Sequence, residues 1–139
     1  MSLENFVSNK AVINWLLEEN NPSVRYFTLS DFLGKKDSDP ELLAVKAKIP
    51  DSKVVAKIFS KQKPEGHWEE PWSPYHPKYK SSYWQIMTLA QLGMEKSDPR
   101  IQNVCESIFK FQHNEGGFSS CTVERALVEY YKLGKKVKE

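Results

Sequence analysis

The feature that most limits what this chain can fold into is an internal repeat at an offset of fifty residues. Val54 is answered by Val104, Ile58 by Ile108 and Phe59 by Phe109. Further on, Gln62 is answered by Gln112, Glu65 by Glu115, Gly66 by Gly116 and Trp68 by Phe118. Self-similarity at a fixed period marks a supersecondary unit that the chain uses more than once. Each copy reads as an apolar helical stripe, then Gln-x-x-x-Gly-x-aromatic, then another helix. The helix ends near the glutamine, and glycine permits a sharp reversal. The aromatic ring then folds back over the turn, while the glutamine amide satisfies orphan backbone groups at a neighbouring helix end. Gln62, Gly66 and Trp68 in the first copy, and Gln112, Gly116 and Phe118 in the second, are thus expected to clamp successive hairpins. The repeat-like units fall at about 51–78 and 99–120.

Helical periodicity holds along the rest of the chain. Val12, Ile13, Leu16 and Leu17 share a stripe, as do Ile101, Val104, Cys105, Ile108 and Phe109, and Val123, Ala126, Leu127, Tyr130 and Tyr131. No segment sustains a period of two. Asn21-Pro22, Asp39-Pro40 and Asp98-Pro99 each pair a capping residue with proline at the first helical position. Gly34, Gly93 and Gly134 suit left-handed C-terminal positions. These signals predict helices at about 5–20, 22–33, 40–48, 51–61, 79–92, 99–112 and 121–133. Short connections imply antiparallel neighbours. The expected fold is all-α, a single helical domain over 1–139, in which αα-hairpins pack against one another.

One connection is unlike the others. Residues 62–78 carry Pro64, Pro71, Pro74 and Pro77 together with Trp68, Trp72 and Tyr75. Long loops in compact domains are functional or packed by their own side chains. Trp72, Tyr75, Tyr83 and Trp84, with Tyr79, are the candidates to line a binding surface for a hydrophobic small molecule or to bury against another subunit. Glu69 and Glu70 are the candidate catalytic carboxyls, because a carboxyl desolvated beside Trp68 and Trp72 would suit general acid work. His67 and His76 with a carboxylate match no zinc spacing, so no metal and no cofactor is expected.

The string Gln62-Lys63-Pro64-Glu65-Gly66-His67-Trp68 resembles the QW motif of the squalene-cyclase and protein-prenyltransferase β-subunit superfamily. Gln112-His113-Asn114-Glu115-Gly116-Gly117-Phe118 is similar to a second, variant copy. The resemblance is best over residues 51–134. It implies an (α/α) toroid, here a partial toroid or arc, with helices around an apolar cavity that takes isoprenoid-like ligands. The cyclases' Asp-x-Asp-Asp acid is absent; the nearest string is Asp37-Ser38-Asp39-Pro40. The prenyltransferases' Asp-x-Cys zinc pair is also absent, since Asn103 and Ser119 stand two residues before Cys105 and Cys121. The expectation is therefore a non-catalytic member that binds a hydrophobic ligand or a protein partner on its concave face. The alternatives are a half-toroid enzyme completed by another chain, and a scaffold, because Pro22-Ser23-Val24-Arg25-Tyr26-Phe27 is similar to the Arg-bearing second helix of HEAT-like repeats.

Charge narrows the partners further. Twenty basic residues against 18 acidic leave a net charge of +2, too balanced to argue for nucleic acid. Lys35-Lys36 reads as a cluster complementing a helix macrodipole. The two cysteines form no Cys-x-x-Cys pair, so a reducing cytoplasm is the expected setting. No apolar run is long enough to span a bilayer.

Overall fold

A computed structural model describes residues 10–136, and within α7 the side chains of Glu129 and of residues 133–136 lie outside the description. The described residues are helical, with no strand among them. The helices are α1 (Lys10–Leu16), α2 (Pro22–Phe27), α3 (Pro40–Lys46), α4 (Lys53–Phe59), α5 (Ser82–Gln91), α6 (Pro99–Phe109) and α7 (Val123–Lys136). The expected start of the first helix at residue 5 falls outside the described residues. The three proline-marked starts are all present. Asn21 accepts from the Val24 amide, Asp39 from Glu41 and Leu42, and Asp98 from Arg100. Gly34 and Gly93 take left-handed φ angles as expected. Gly134 does not, because α7 runs through it to Lys136. The predicted helix at 22–33 is two elements, since α2 passes into a π turn over Thr28–Phe32. Most expected helices are shorter than predicted: α1 ends at Leu16, not 20, α3 at Lys46, not 48, and α6 at Phe109, not 112, while α5 starts at Ser82, not 79, and α4 spans Lys53–Phe59 after a 3-10 turn over Ile49–Asp51.

The chain divides into two compact units. One comprises residues 1–57 with 91–94. There α2 and its π turn pack on α3, and Leu29, Leu42 and Val45 form a core joined by Leu17 and Tyr26. Arg25 pairs with Glu41 at 2.9 Å and Glu19 at 3.4 Å, and Lys35 pairs with Asp39 at 3.0 Å and Glu41 at 3.1 Å. Hydrogen bonds from Arg25 and then Lys35 hold the Glu41 carboxyl below its ordinary value, and Lys35 does the same for Asp39. Lys35 thus serves the start of the next helix, where sequence reasoning had assigned it to the end of the preceding one. Arg25 is an ion-pairing residue between α2 and α3.

The second unit comprises residues 58–90 with 95–139 and holds both copies of the repeat. Its buried apolar residues are Phe59, Trp68, Leu89, Ile101 and Val104. Trp68 is 2% exposed, and its indole N–H donates to the Ile58 carbonyl at 2.9 Å. The ring therefore folds back against the end of the helix before the turn. The stripe on α7 behaves otherwise. Val123, Leu127, Tyr130 and Tyr131 are all at least half exposed, because no described element packs over them.

Candidate functional site

The long connection of the second unit is held by its own side chains. The Ser73 hydroxyl donates to the Ser120 carbonyl at 2.8 Å and accepts from the His76 amide at 2.9 Å. The Thr122 amide donates to the Trp72 carbonyl and the Tyr83 amide to the Pro74 carbonyl, each at 2.9 Å. These bonds fix residues 72–76 against the start of α5 and the segment before α7. Backbone groups that a loop would leave to water are paired here.

Between this loop, α5, α6 and the second turn lies an apolar cleft of about 440 Å³. Tyr75, Tyr83 and Trp84 line one side, with Ile86 and Met87 of α5. Cys105, Ile108 and Phe109 of α6 and Phe118 of the second turn line the other. The rings contact each other: Tyr75 and Trp84 at 5.5 Å between centroids, Tyr83 and Phe118 edge-on at 6.5 Å, and Phe109 and Phe118 at 6.3 Å. Helical spacing explains the two helix walls. Tyr83, Ile86 and Met87 stand at i, i+3 and i+4 on α5, as Cys105, Ile108 and Phe109 do on α6, so each trio shares a face.

Two polar tips of the wall are paired with backbone. The Tyr83 hydroxyl donates to the Ser119 carbonyl at 2.9 Å, and the Trp84 indole N–H donates to the Tyr75 carbonyl at 3.0 Å. The surface that faces the cleft is apolar. Burial raises the Tyr83 phenol above its ordinary pKa. Burial, with a smaller push from Glu106, does the same to the Cys105 thiol, so Cys105 behaves as part of the apolar wall and not as an activated nucleophile.

Three of the five aromatic candidates named from sequence, Tyr75, Tyr83 and Trp84, come together here. Trp72 does not; it lines a separate hollow with Glu70, Ser73, His76, Cys121 and Arg125. Tyr79 stacks on Trp84 at 4.8 Å but is 74% exposed. The helix residues Ile86, Met87, Cys105 and Ile108 were missed as lining, although their spacing was legible. Periodicity marks an inward face and does not say whether that face meets a core or a cleft.

The candidate carboxyls stand elsewhere. Glu69 and Glu70 are exposed, Glu69 at a left-handed φ of 58°. His67 lines a third hollow with Glu65, Ser107, Lys110 and Thr122, its Nε2 3.8 Å from the Glu65 carboxylate. His76 lies in the hollow with Trp72, so the two histidines are not brought together. Among the described residues no group of three or more His, Cys, Asp or Glu side chains is placed to hold a metal. Among them, too, no helix is long and apolar enough to cross a membrane.

The two turns of the repeat share the conformation of their first glycine, although Gly117 is left-handed at φ 78° where His67 is not, and they have different surroundings. Gly66 and Gly116 both sit at φ 89°. The Gly66 amide donates to the Lys63 carbonyl at 2.9 Å, and the Gly116 amide to the His113 carbonyl at 3.0 Å. In the first turn, however, the Gln62 amide donates to the Gly66 carbonyl at 3.2 Å and to the Arg100 carbonyl in α6 at 3.1 Å. A Cβ on Gly66 would overlap the Asn103 carbonyl oxygen. Around Gly116 nothing among the described residues lies within 4 Å of where a Cβ would be, and Gln112 and Phe118 are exposed. The expected clamp is therefore closed in the first copy only.

No protein-family model, curated protein or solved structure matches the chain.

Proposed function

We propose that the second unit is a non-catalytic binding module whose cleft takes a hydrophobic, isoprenoid-like ligand. The observation that carries this reading is the cleft itself. Its volume of about 440 Å³ falls in the range of small-molecule sites, roughly 300–1,000 Å³. The Tyr83 O–H and the Trp84 N–H both already donate to backbone carbonyls. A ligand segment with its own donors or acceptors would lose them to an apolar wall, which costs free energy. A hydrocarbon segment loses nothing and removes its surface from water. The arrangement of the hairpins as an arc of a squalene-cyclase-like toroid belongs to the same proposal, supported by the repeat. So does the non-catalytic reading, supported by the absent Asp-x-Asp-Asp and Asp-x-Cys motifs and by a cleft lining that includes neither Glu69 nor Glu70.

Titration of the protein with farnesol, followed by tryptophan fluorescence, tests the reading. Trp84 lies in the wall, so saturable quenching is expected. Met87 is 48% exposed, so Met87→Asp puts a charge in the cleft without disturbing a packed core. That variant is expected to weaken binding at least about a hundredfold, consistent with the cost of leaving a charge in an apolar site. Quenching that fails to saturate, or that survives Met87→Asp unchanged, refutes the reading.

A further inference from the structure

The two turns offer an internal comparison, because one chain holds the same device filled and unfilled. The filled copy specifies its occupant. Onto Gln62–Trp68 is docked the first turn of α6, which enters through Asp98-Pro99. Three contacts define the fit. The Gln62 side-chain amide donates to the Arg100 carbonyl at 3.1 Å. The Asn103 side-chain amide donates back to the Pro64 carbonyl at 3.0 Å. The missing Cβ of Gly66 leaves room for the Asn103 backbone. The docked helix start is thus held by one hydrogen bond in each direction and by close approach of two backbones.

Fifty residues on, each half of that socket is present. Gln112 stands for Gln62, Asn114 for Pro64 and Gly116 for Gly66. The turn needs no occupant to form: the His113 amide donates to the Gly117 carbonyl at 3.1 Å, as the Lys63 amide does to His67 at 2.8 Å, and Gln112 and Phe118 form an antiparallel bridge. Among the described residues no helix start lies against Gly116, and no hydrogen bond of the Gln112 side chain is made to them. A preformed backbone with its donor, its acceptor and its open approach unused is an organised binding surface, which lowers the ordering cost of association.

We propose that the turn Gln112–Phe118 is a docking socket for the first turn of a helix on a partner polypeptide, of the kind that begins Asp-Pro and carries asparagine five places after the aspartate. The surface continues, one repeat on, the interface that α6 makes with the first turn, and that continuity fixes the occupant's chemistry. The Gln112 amide meets a carbonyl of the incoming turn, the Asn114 carbonyl accepts from its asparagine, and the bare Gly116 admits its backbone. This inference is independent of the ligand in the cleft.

The test uses the full chain and a labelled peptide of residues 96–111, with Cys105→Ser, as the probe. Saturable binding by fluorescence anisotropy is expected. Gln112→Ala is expected to weaken it about five- to tenfold, the fold-change of one hydrogen bond, while leaving the thermal midpoint of the chain unmoved. Gln62→Ala is expected to lower that midpoint. Asn103→Ala in the peptide is expected to weaken binding by a similar factor, and Gly116→Ala to abolish it. No binding at millimolar peptide, or binding indifferent to both Gln112→Ala and the peptide's Asn103→Ala, overturns the proposal. Self-association of the chain through Gln112 with no affinity for the peptide also overturns it, in favour of a second copy as occupant.

Discussion

Replacing Trp68 with alanine should cost about twice as much stability as replacing Phe118, although the two occupy the same place in the repeat. Trp68 is 2% exposed, and its N–H satisfies the Ile58 carbonyl. A buried tryptophan removes about 150–250 Å² from water. At about 25 cal/mol per Å² that is about 4–6 kcal/mol, an upper bound because the unfolded chain already buries some of it. Truncation of buried aromatics to alanine costs about 3–5 kcal/mol, and we take that range for Trp68→Ala. Phe118 is 46% exposed. Scaling the same range by its buried half gives about 1.5–2.5 kcal/mol. Urea unfolding gives both values, provided the slope with denaturant is unchanged so that the midpoint reports stability. Losses that agree within about 0.5 kcal/mol, the scatter of unexceptional substitutions, would refute the claim that the first turn is a closed clamp and the second an open one.

The glycines give a related contrast. Gly116→Ala should cost about 1–2 kcal/mol from its left-handed φ alone, whereas Gly66→Ala should add about 1–3 kcal/mol of overpacking against Asn103; thermal melts that rank them equally count against the docking geometry. Asp98→Asn keeps the cap on α6 but removes the charge that Arg100 contacts at 2.6 Å. The Arg100 guanidinium holds the Asp98 carboxyl below its ordinary value. Its stabilisation is therefore present above the unfolded carboxylate value of about 3.9 and is lost as the pH falls below that, through the folded value. The variant should flatten the acid limb of the stability curve below about pH 4, and a limb of unchanged steepness would mean the pair contributes nothing. Finally, in a Cys121→Ser background, Cys105 should react slowly with a thiol reagent near neutral pH, and farnesol at ten times its Kd should slow it about tenfold more by occupying the cleft. Labelling that farnesol leaves unchanged would place the ligand elsewhere.

Much of the helical framework was legible because it rests on local chemistry. Asn21-Pro22, Asp39-Pro40 and Asp98-Pro99 each supply a side-chain acceptor and a fixed φ, and each starts a helix where expected. Gln62, Gly66 and Trp68 were legible as a clamp because the motif carries its own reversal and its own ring. What the motif could not reveal was occupancy. Gln112 and Gly116 repeat the same residues, yet closure depends on whether a helix start arrives from elsewhere, and that is a tertiary fact. The cleft was half legible for a similar reason. Tyr75, Tyr83 and Trp84 stood out by type, whereas Ile86, Met87, Cys105 and Ile108 look like core residues until it is known that no described residue fills the space between α5 and α6. Trp72 was grouped with them by proximity in sequence, but the fixed loop turns it to another hollow. The stripe on α7 was read as inward from its period, and it is exposed because no described element covers it.

The central claim is that the cleft between α5, α6 and the second turn receives a hydrophobic molecule. Methyl NMR tests it most directly, since Ile86, Met87 and Ile108 put methyl groups in the wall. On titration with farnesol, saturable shifts of these three signals on one binding curve are expected, with the Leu29, Leu42 and Val45 methyls of the other unit's core unmoved. Shifts spread over both cores, or cleft methyls that stay in place up to the solubility limit of the ligand, would contradict it.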